Sequence, residues 1–574
     1  MTQRRNPRLT RREFIAATTA TVFVAGCAPF TSGAASVRRT TPTPFTSSTP
    51  LTLGSDATVP NSLLDSLARA LSGQGGASAV QPQTSPLSPP DLRASMRPAD
   101  SPPPAGYSYH ASVATSEWAL VTHPRVPVEG VTHAQALGLL SGSIGNWVSV
   151  GAPYSVPVHR LRFSDLSAPD GVQLSDAASA ASYDALFNAL RATPGAVAAV
   201  PNEAVDWSVH HVGVDGFYPA QGRGNGAGLG RISLQLYVSD ALKKRGADPA
   251  KIGANAQVGM ASSQATLDLV TVGDIMLGRG VLNQMRARND YRFPYRAIKG
   301  ELDAGDLRVG NLECMVTDMV APPSDPATFT FVCPTHGFDG LTYAGFDIVT
   351  LANNHSNGEG QAVFNDMRAN LTKQGILHCG GGDNLAEATT PAIATAKGTR
   401  VAILSYDNIL PQGPWATTHS WGLAPIDASR LPGDIASARQ TADLVIPYFH
   451  WGIEYTNDPT TYQQGVARAA IDAGADMVLG NHPHWTQGIE RYKSKLIVYS
   501  MGNFVFDQDW SEATMEGMLL HLYWRGGTLA SVRFVPTKDV SRCQPKVMAP
   551  AEAVGVFSRM WSGTDELAHG QYGP

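Results

Sequence analysis

The chain has 574 residues, 43% of them hydrophobic and 16% charged, a balance that fits a globular protein with ample core and about three or four domains' worth of sequence. A formal net charge of −5 supplies no basic excess of the kind a nucleic-acid partner requires. Five cysteines in this length do not make a disulfide framework.

The first elements are an address. Arg4, Arg5, Arg8, Arg11 and Arg12 precede a short apolar stretch, Phe14 to Gly26, which is too short to span a bilayer. Thr10-Arg11-Arg12-Glu13-Phe14-Ile15 resembles a twin-arginine export signal, and Val24-Ala25-Gly26-Cys27 resembles a bacterial lipobox in which Cys27 is lipidated. An ordinary cleaved signal is the competing reading. Residues 1–27 are thus expected to be a lipoprotein signal. The mature chain is expected to be exported and lipid-anchored at the outer face of the cell membrane, at the cell surface or in the periplasm. Residues 28–50, rich in Ser, Thr and Pro, read as a disordered tether.

Residues 51–245 form a first globular unit, with a Pro/Ser/Gly-rich stretch at 73–106 read as a loop. A strand is expected at Trp118–Thr122, then a helix capped by Thr132 with Leu137 and Leu140 on its apolar face. The run SEWALVTHPRVPVEGVTHAQALGLLSGSIGNWVSVGAP (116–153), with TPGAVAAVP and VGVDGFYP downstream, resembles the type-2 periplasmic solute-binding fold, in its phosphate-binding branch. That resemblance implies an α/β domain, in degenerate form, since no Ser/Thr-Gly loop that would cradle phosphate is present. Ligand binding and a spacer or docking role both stay open.

A linker is expected at 246–265, and a new domain over 266–555, with 556–574 as a tail. Apolar runs predict buried strands at Leu267–Val272, Asp347–Leu351, Val401–Ser405, Leu444–Phe449, Met477–Leu479 and Leu496–Ser500. Between them, Gln361–Gln374 and Tyr462–Ala473 carry helical periodicity and end at Gly375 and Gly474. Alternating strand and helix imply an α/β domain, in which ligands sit beyond the carboxyl ends of strands. The chemistry-bearing residues fall there: Asp274, Glu313, Asn354, His355, His450, Glu454, His482 and His484. Carboxylate, amide oxygen and imidazole together suit Mn, Fe or Zn.

The blocks GDIMLGR, NLE, ANNH, HWGIEY, HPHW and MGNFVFD, in that order over about 266–555, resemble the poly-γ-glutamate capsule-synthesis (CapA) family, whose domain is similar to the calcineurin-like metallophosphoesterase fold. The resemblance implies a four-layer α/β/β/α sandwich. It further implies that Glu313 bridges two metals, that Asn354, His450 and His482 complete one site, and that Asp274 and His484 serve the other. His355 would be the outer-sphere general acid. Metallophosphoesterases usually open with Asp-x-His, whereas this chain has Met276 in the third position; one firm metal and one weak or absent one are therefore expected. Arg279 could take the missing charge's place by orienting an anionic substrate oxygen. Gly358 stands where the family commonly has an Asp, which leaves Glu359 as a substitute partner for His355. Glu454 could be a ligand, a partner for an imidazole or a solvated carboxylate.

The function implied is the making, trimming or export of an anionic cell-surface polymer, poly-γ-glutamate by resemblance, by a metal-dependent hydrolase. A phosphoesterase on another, phosphorylated substrate and a non-catalytic accessory protein are the alternatives. Membrane polymer synthases are the partners such a role implies. Cys314, beside Glu313, is expected to face away from the site as a buried thiol, and no pairing among Cys314, Cys333, Cys379 and Cys543 follows from the sequence.

Overall fold

The computed structural model describes residues 51–568 apart from 73–80, 83–89, 99–100, 175, 261–264, 326 and 410–412. The expected signal, Cys27 and the tether lie outside the described residues.

The N-terminal region is built on a ten-stranded mixed sheet. Its spine is β1 (Leu92–Arg97), the long β2 (Tyr109–Thr122), β3 (Ala196–Pro201) and β4 (Arg231–Val238), with α1 (His133–Ser141) and α2 (Tyr183–Ala192) beside it. The expected strand at Trp118–Thr122 is the end of β2. Thr132 caps α1 through a reciprocal capping box with Gln135. One continuous apolar core, including Trp147, Leu186, Val197 and Leu234, holds this region together. Residues 246–265, read as a linker, instead contain α3 (Pro249–Met260), whose Ile252 and Ala256 are buried in that core.

The C-terminal region packs two sheets face to face. In chain order its main elements are β5 (Leu267–Ile275), β6 (Leu307–Leu312), β7 (Ile348–Thr350), α4 (Gln361–Lys373), β8 (Leu377–Cys379), β9 (Thr399–Asp407), β10 (Leu444–His450), α5 (Thr461–Asp472), β11 (Met477–Asn481), β12 (Lys495–Val498), β13 (Glu516–Arg525), β14 (Thr528–Val540) and α6 (Val554–Ala568). The first sheet runs β8-β7-β6-β5-β13-β14 with a further edge strand at Gln544–Val547; β8, β7, β6 and β5 are parallel and β13 is antiparallel to β5. The second has β9, β10, β11 and β12 parallel at its centre.

Alternation along each strand sets the layers. Leu267 and Leu269 of β5 meet Ile403, Ile446 and Leu479 between the sheets, whereas Val270 and Val272 face helices through Leu282, Leu341 and Met367. On the far side, Leu404 and Val478 pack against Ile435, Ala467 and Ile471 of helices. This is a four-layer α/β/β/α sandwich, as expected. Each such fully buried aliphatic side chain contributes about 1.5–3 kcal/mol.

The segment read as a tail is largely α6. Val556 and Met560 enter the core between the sheets, and the Ile489 N–H donates to Thr564 Oγ1 at 2.9 Å. The two regions touch through Trp207, whose Nε1 donates to the Ser494 carbonyl at 3.1 Å, and through Arg525, which donates to the Asn202 carbonyl at 3.0 Å.

Candidate metal centre

Parallel strands deliver their carboxyl ends to one place. Asp274 at the end of β5 is in register with Asn311 on β6, and His450 at the end of β10 lies between Asp407 on β9 and Asn481 on β11. Gly273 permits the last approach, because a Cβ there would lie 1.8 Å from the Gly502 carbonyl oxygen. The segment around Asn503 can therefore pair with Asp274.

Asp274, Glu313 and His484 are buried together, with ligand atoms within 4.8 Å of one another. Asp274 Oδ1 accepts from Asn311 Nδ2 and from Asn481 Nδ2, both at 2.8 Å, while Oδ2 has no hydrogen-bond partner and lies 3.6 Å from His484 Nδ1. Neither oxygen of Glu313 has a partner, and the residue is fully buried. His450 Nε2 lies 3.9 Å from Glu313 Oε1 and 2.9 Å from Asn354 Oδ1. The His482 ring packs against His450 with centroids 4.8 Å apart, and its Nδ1 has no partner. The six residues expected to bind metal are thus in one cluster.

The electrostatics fit a cation. Burial, then the charge of Asp274, pushes Glu313 well above the ordinary carboxylate range. Burial also works against Asp274, but the His484 ring, His450 and the Asn311 amide hold it below that range. Burial lowers His450 to about 4 and takes His482 well below its ordinary value, so both imidazoles are neutral. An unpartnered buried polar group costs about 1–3 kcal/mol, more when charged. Several such atoms converging on one point are what a divalent cation would relieve. The backbone adds strain: His482 (φ +98°), His484 (φ +58°), Arg279 (φ +43°) and Tyr455 (φ +60°) are all in the left-handed region, at about 1–3 kcal/mol each.

His355 sits at one end of the cluster. Its ring stacks on Phe331 with centroids 4.1 Å apart, Nδ1 is 2.8 Å from the Phe329 carbonyl, and Asn354 Nδ2 donates to Nε2 at 3.0 Å. Burial, then His450 and His484, lowers its pKa to about 3. The Phe329 carbonyl therefore orients the ring, while Glu359 is exposed.

Arg279 is close to the site but is not a free cation. Its guanidinium pairs with Asp507 and lies 4.4 Å over the Phe331 ring. The charge expected for a substrate oxygen is shared with Asp507. Met276 is buried in the helix-side core, and its sulfur accepts the Gly278 N–H at 3.0 Å, so it offers nothing to a metal. Glu454 is half exposed and 3.8 Å from His484 Nε2, the place of an imidazole partner. Trp451 is fully buried and donates to the Tyr499 carbonyl. Cys314 is a buried thiol on the helix side, and Cys314, Cys333, Cys379 and Cys543 are all free.

Asn311 and Asn481, which hold Asp274, are functional residues that the sequence reading misses. Their signal is present in it: each is an asparagine at a strand end, two residues before Glu313 and one before His482. Asn503 also reaches the site, its Oδ1 lying 2.9 Å from His484 Nδ1.

Comparisons with known proteins bear on this cluster directly. Residues 268–508 match the model of the bacterial capsule synthesis protein family PGA_cap. The chain is 31% identical over 292 residues to the capsule biosynthesis protein CapA of Bacillus anthracis, covering 50% of this chain and 70% of that relative. It is likewise 31% identical over 268 residues to the PGA biosynthesis protein CapA of Bacillus subtilis strain 168, covering 46% and 70%. The chain belongs to this family. A probable polyglutamine synthesis accessory protein of Mycobacterium tuberculosis is 27% identical over 289 residues, covering 42% of this chain and 76% of the relative. Among solved structures, a hypothetical protein from Thermus thermophilus matches at TM-score 0.31 and 14% identity, over 48% of this chain and 100% of that one. An ABC-type phosphate transport receptor from Vibrio cholerae matches at TM-score 0.27 and 17% identity, over 37% and 97%. Both scores are too low to bear on fold or function.

Proposed function

We propose that this capsule-synthesis-family chain is a metal-dependent hydrolase acting in the synthesis of a cell-surface polymer. The observation that carries the reading is Glu313: a fully buried carboxylate with neither oxygen hydrogen-bonded, facing neutral imidazoles and Asp274. Asp274, Glu313, Asn354, His450, His482 and His484 are the residues that would hold the cation. Bound there, a divalent metal supplies a Lewis acid and lowers the pKa of water.

The chain's own residues prepare the rest. Asn311 and Asn481 fix the Asp274 carboxylate in one orientation. With Nδ1–H held on the Phe329 carbonyl and Nε2 accepting from Asn354 Nδ2, the His355 ring is fixed beside the cluster, where giving up the Asn354 contact would let Nε2 accept and return a proton. Phe331 and Phe506 pack edge to face beneath it and keep water from that side.

The names of the relatives point to poly-γ-glutamate as the polymer. The twin-arginine run and the Val24-Ala25-Gly26-Cys27 motif support an exported, lipid-anchored place of work. Membrane polymer synthases are the partners such a place implies. One observation favours a non-catalytic accessory role instead: the Arg279 guanidinium, the charge expected for an anionic oxygen, is paired with Asp507. Manganese-dependent hydrolysis of a generic phosphoester and of poly-γ-glutamate, in wild type and His482→Ala, separates the two. Turnover that falls at least 100-fold in the variant is the expected result; bound metal without turnover on either substrate would favour the accessory role.

A further inference from the structure

We propose that an exposed arginine-rich face, reached from the metal centre along one helix, is the surface that holds the polycarboxylate chain. The inference rests on the reading of this site as one that acts on poly-γ-glutamate, and it adds where that chain is gripped.

One stretch of sequence builds the face. Residues 286–299 carry Arg286, Arg288, Arg292, Arg296 and Lys299 against one acid, Asp290, in a chain whose net charge is −5. The helix Arg279–Ala287 starts at the site with Arg279 and buries Val281, Leu282 and Met285. Arg286, in its last turn, is exposed about 10 Å further along the axis. Arg288, Arg292 and Arg296 follow, also exposed, while Tyr295, Ile298 and Leu302 anchor the segment in the core.

The cations are ordered more than they are neutralised. The Arg288 guanidinium lies 4.1 Å over Phe293, and Arg292, Arg296 and Lys299 surround the Tyr343 ring at 5.7, 5.8 and 5.3 Å. Arg296 is paired with Asp290 at 2.6 Å, and Lys299 with Asp303. Glu301 turns inward to His521 and Arg533, and Asp339 lies 3.5 Å from His336. Asp507, against the start of the helix, is paired with Arg279, and Asp509 with Arg542. Among the described residues, no carboxylate pairs with Arg286, Arg288 or Arg292. Three arginines are thus left for a ligand.

A repeating carboxylate matches them. Guanidinium forks take carboxylates in bidentate pairs, and stacking has already removed part of the entropy lost in fixing them. A polymer held here has a raised effective concentration at the metal centre. An anionic membrane is the rival occupant. Segments that lie on membranes bury apolar side chains, however, and no large one between residues 279 and 304 is exposed.

Binding of a poly-γ-glutamate oligomer to the full chain, loaded with manganese, would be measured by calorimetry in low-salt buffer. Wild type should bind, and more weakly as salt is raised. Arg286→Glu with Arg292→Glu should weaken binding about tenfold or more with metal content unchanged, and the corresponding lysine pair should restore most of it. Lys243→Glu with Lys244→Glu, an equal change of charge elsewhere on the surface, should leave it unmoved. No binding by wild type, binding indifferent to the arginine pair, or equal loss in both charge-reversed proteins would overturn the proposal. So would capture of phosphatidylglycerol vesicles by these arginines without binding of the polyglutamate. Metal content and phosphoester turnover in the same samples report on the hydrolase reading separately, so each can fail alone.

Discussion

Two buried acids at opposite ends of one strand show how a candidate metal centre differs from a structural ion network. Asp268, at the start of β5, is 2.9 Å from His521 Nδ1, whose Nε2 lies 3.1 Å from Glu301, which in turn accepts from Arg533 at 2.6 Å. Every charge there has an opposite neighbour. Asp274, six residues along, shares its surroundings with a second acid, Glu313, with His484, and with His450, whose imidazole burial keeps neutral. Burial alone does not separate the two ends, since both lie inside the protein. What separates them is satisfaction: Asp274 Oδ2 and both Glu313 oxygens have no protein partner. A complete network stabilises the fold by itself, whereas an incomplete one leaves buried acids that a cation from outside would satisfy.

The sharpest way to break this contrast is to remove charge at each end. Glu313→Gln should abolish metal binding and lower hydrolysis by about 1000-fold or more. It should leave the melting temperature of the metal-free protein unchanged or higher, because a buried, unpaired carboxylate is gone. A fall in the metal-free melting temperature would put Glu313 in the structural class. Asp268→Asn should do the reverse, destabilising by about 3 kcal/mol in urea unfolding with metal content intact.

A smaller effect is expected one shell out. Asn481→Ala removes a donor to Asp274 Oδ1 and should weaken metal affinity about 10- to 100-fold, with the fold intact. Unchanged affinity in a competition titration with a chelator would mean that the Asn311 donor alone suffices.

The smallest expected effect is on pH dependence. Burial opposes a charge on His521, but Asp268 and Glu301 outweigh it and raise its pKa above the ordinary value. A raised histidine contributes stability that is fully present below its unfolded pKa of about 6.5 and fades as pH climbs through the folded value. The melting-temperature gap between wild type and His521→Gln should therefore be wider at pH 6 than at pH 8.5. A gap independent of pH would show that the network holds without protonation.

The sequence reveals the centre well because its donors follow apolar strands directly: Asp274 ends LVTVGD, His450 ends VIPYFH, and His482 follows MVLGN. Local pattern suffices where a side chain's place is set by its own strand. It fails where the partner is distant in sequence. Nothing local to Arg279 foretells Asp507, 228 residues on, nor does anything near His355 foretell the Phe329 carbonyl. The misreading of α6 has a different cause. Val556, Met560 and Leu567 are a helical stripe, but their position after the last motif makes them look like a terminus. In α3 the Ala and Gly content hides Ile252 and Ala256 as core contacts. That Arg279 shares its charge with Asp507 escapes the sequence for want of the same long-range information, since charge is free only if no acid folds onto it.

The most direct test of the account is elemental analysis of the purified chain after incubation with manganese, iron or zinc, in wild type, Glu313→Gln and Asp268→Asn. At least one tightly held metal per chain in wild type and Asp268→Asn, and none in Glu313→Gln, is the result expected. Metal absent from the wild type, or retained undiminished in Glu313→Gln, would contradict the assignment of the unsatisfied acids to a metal centre.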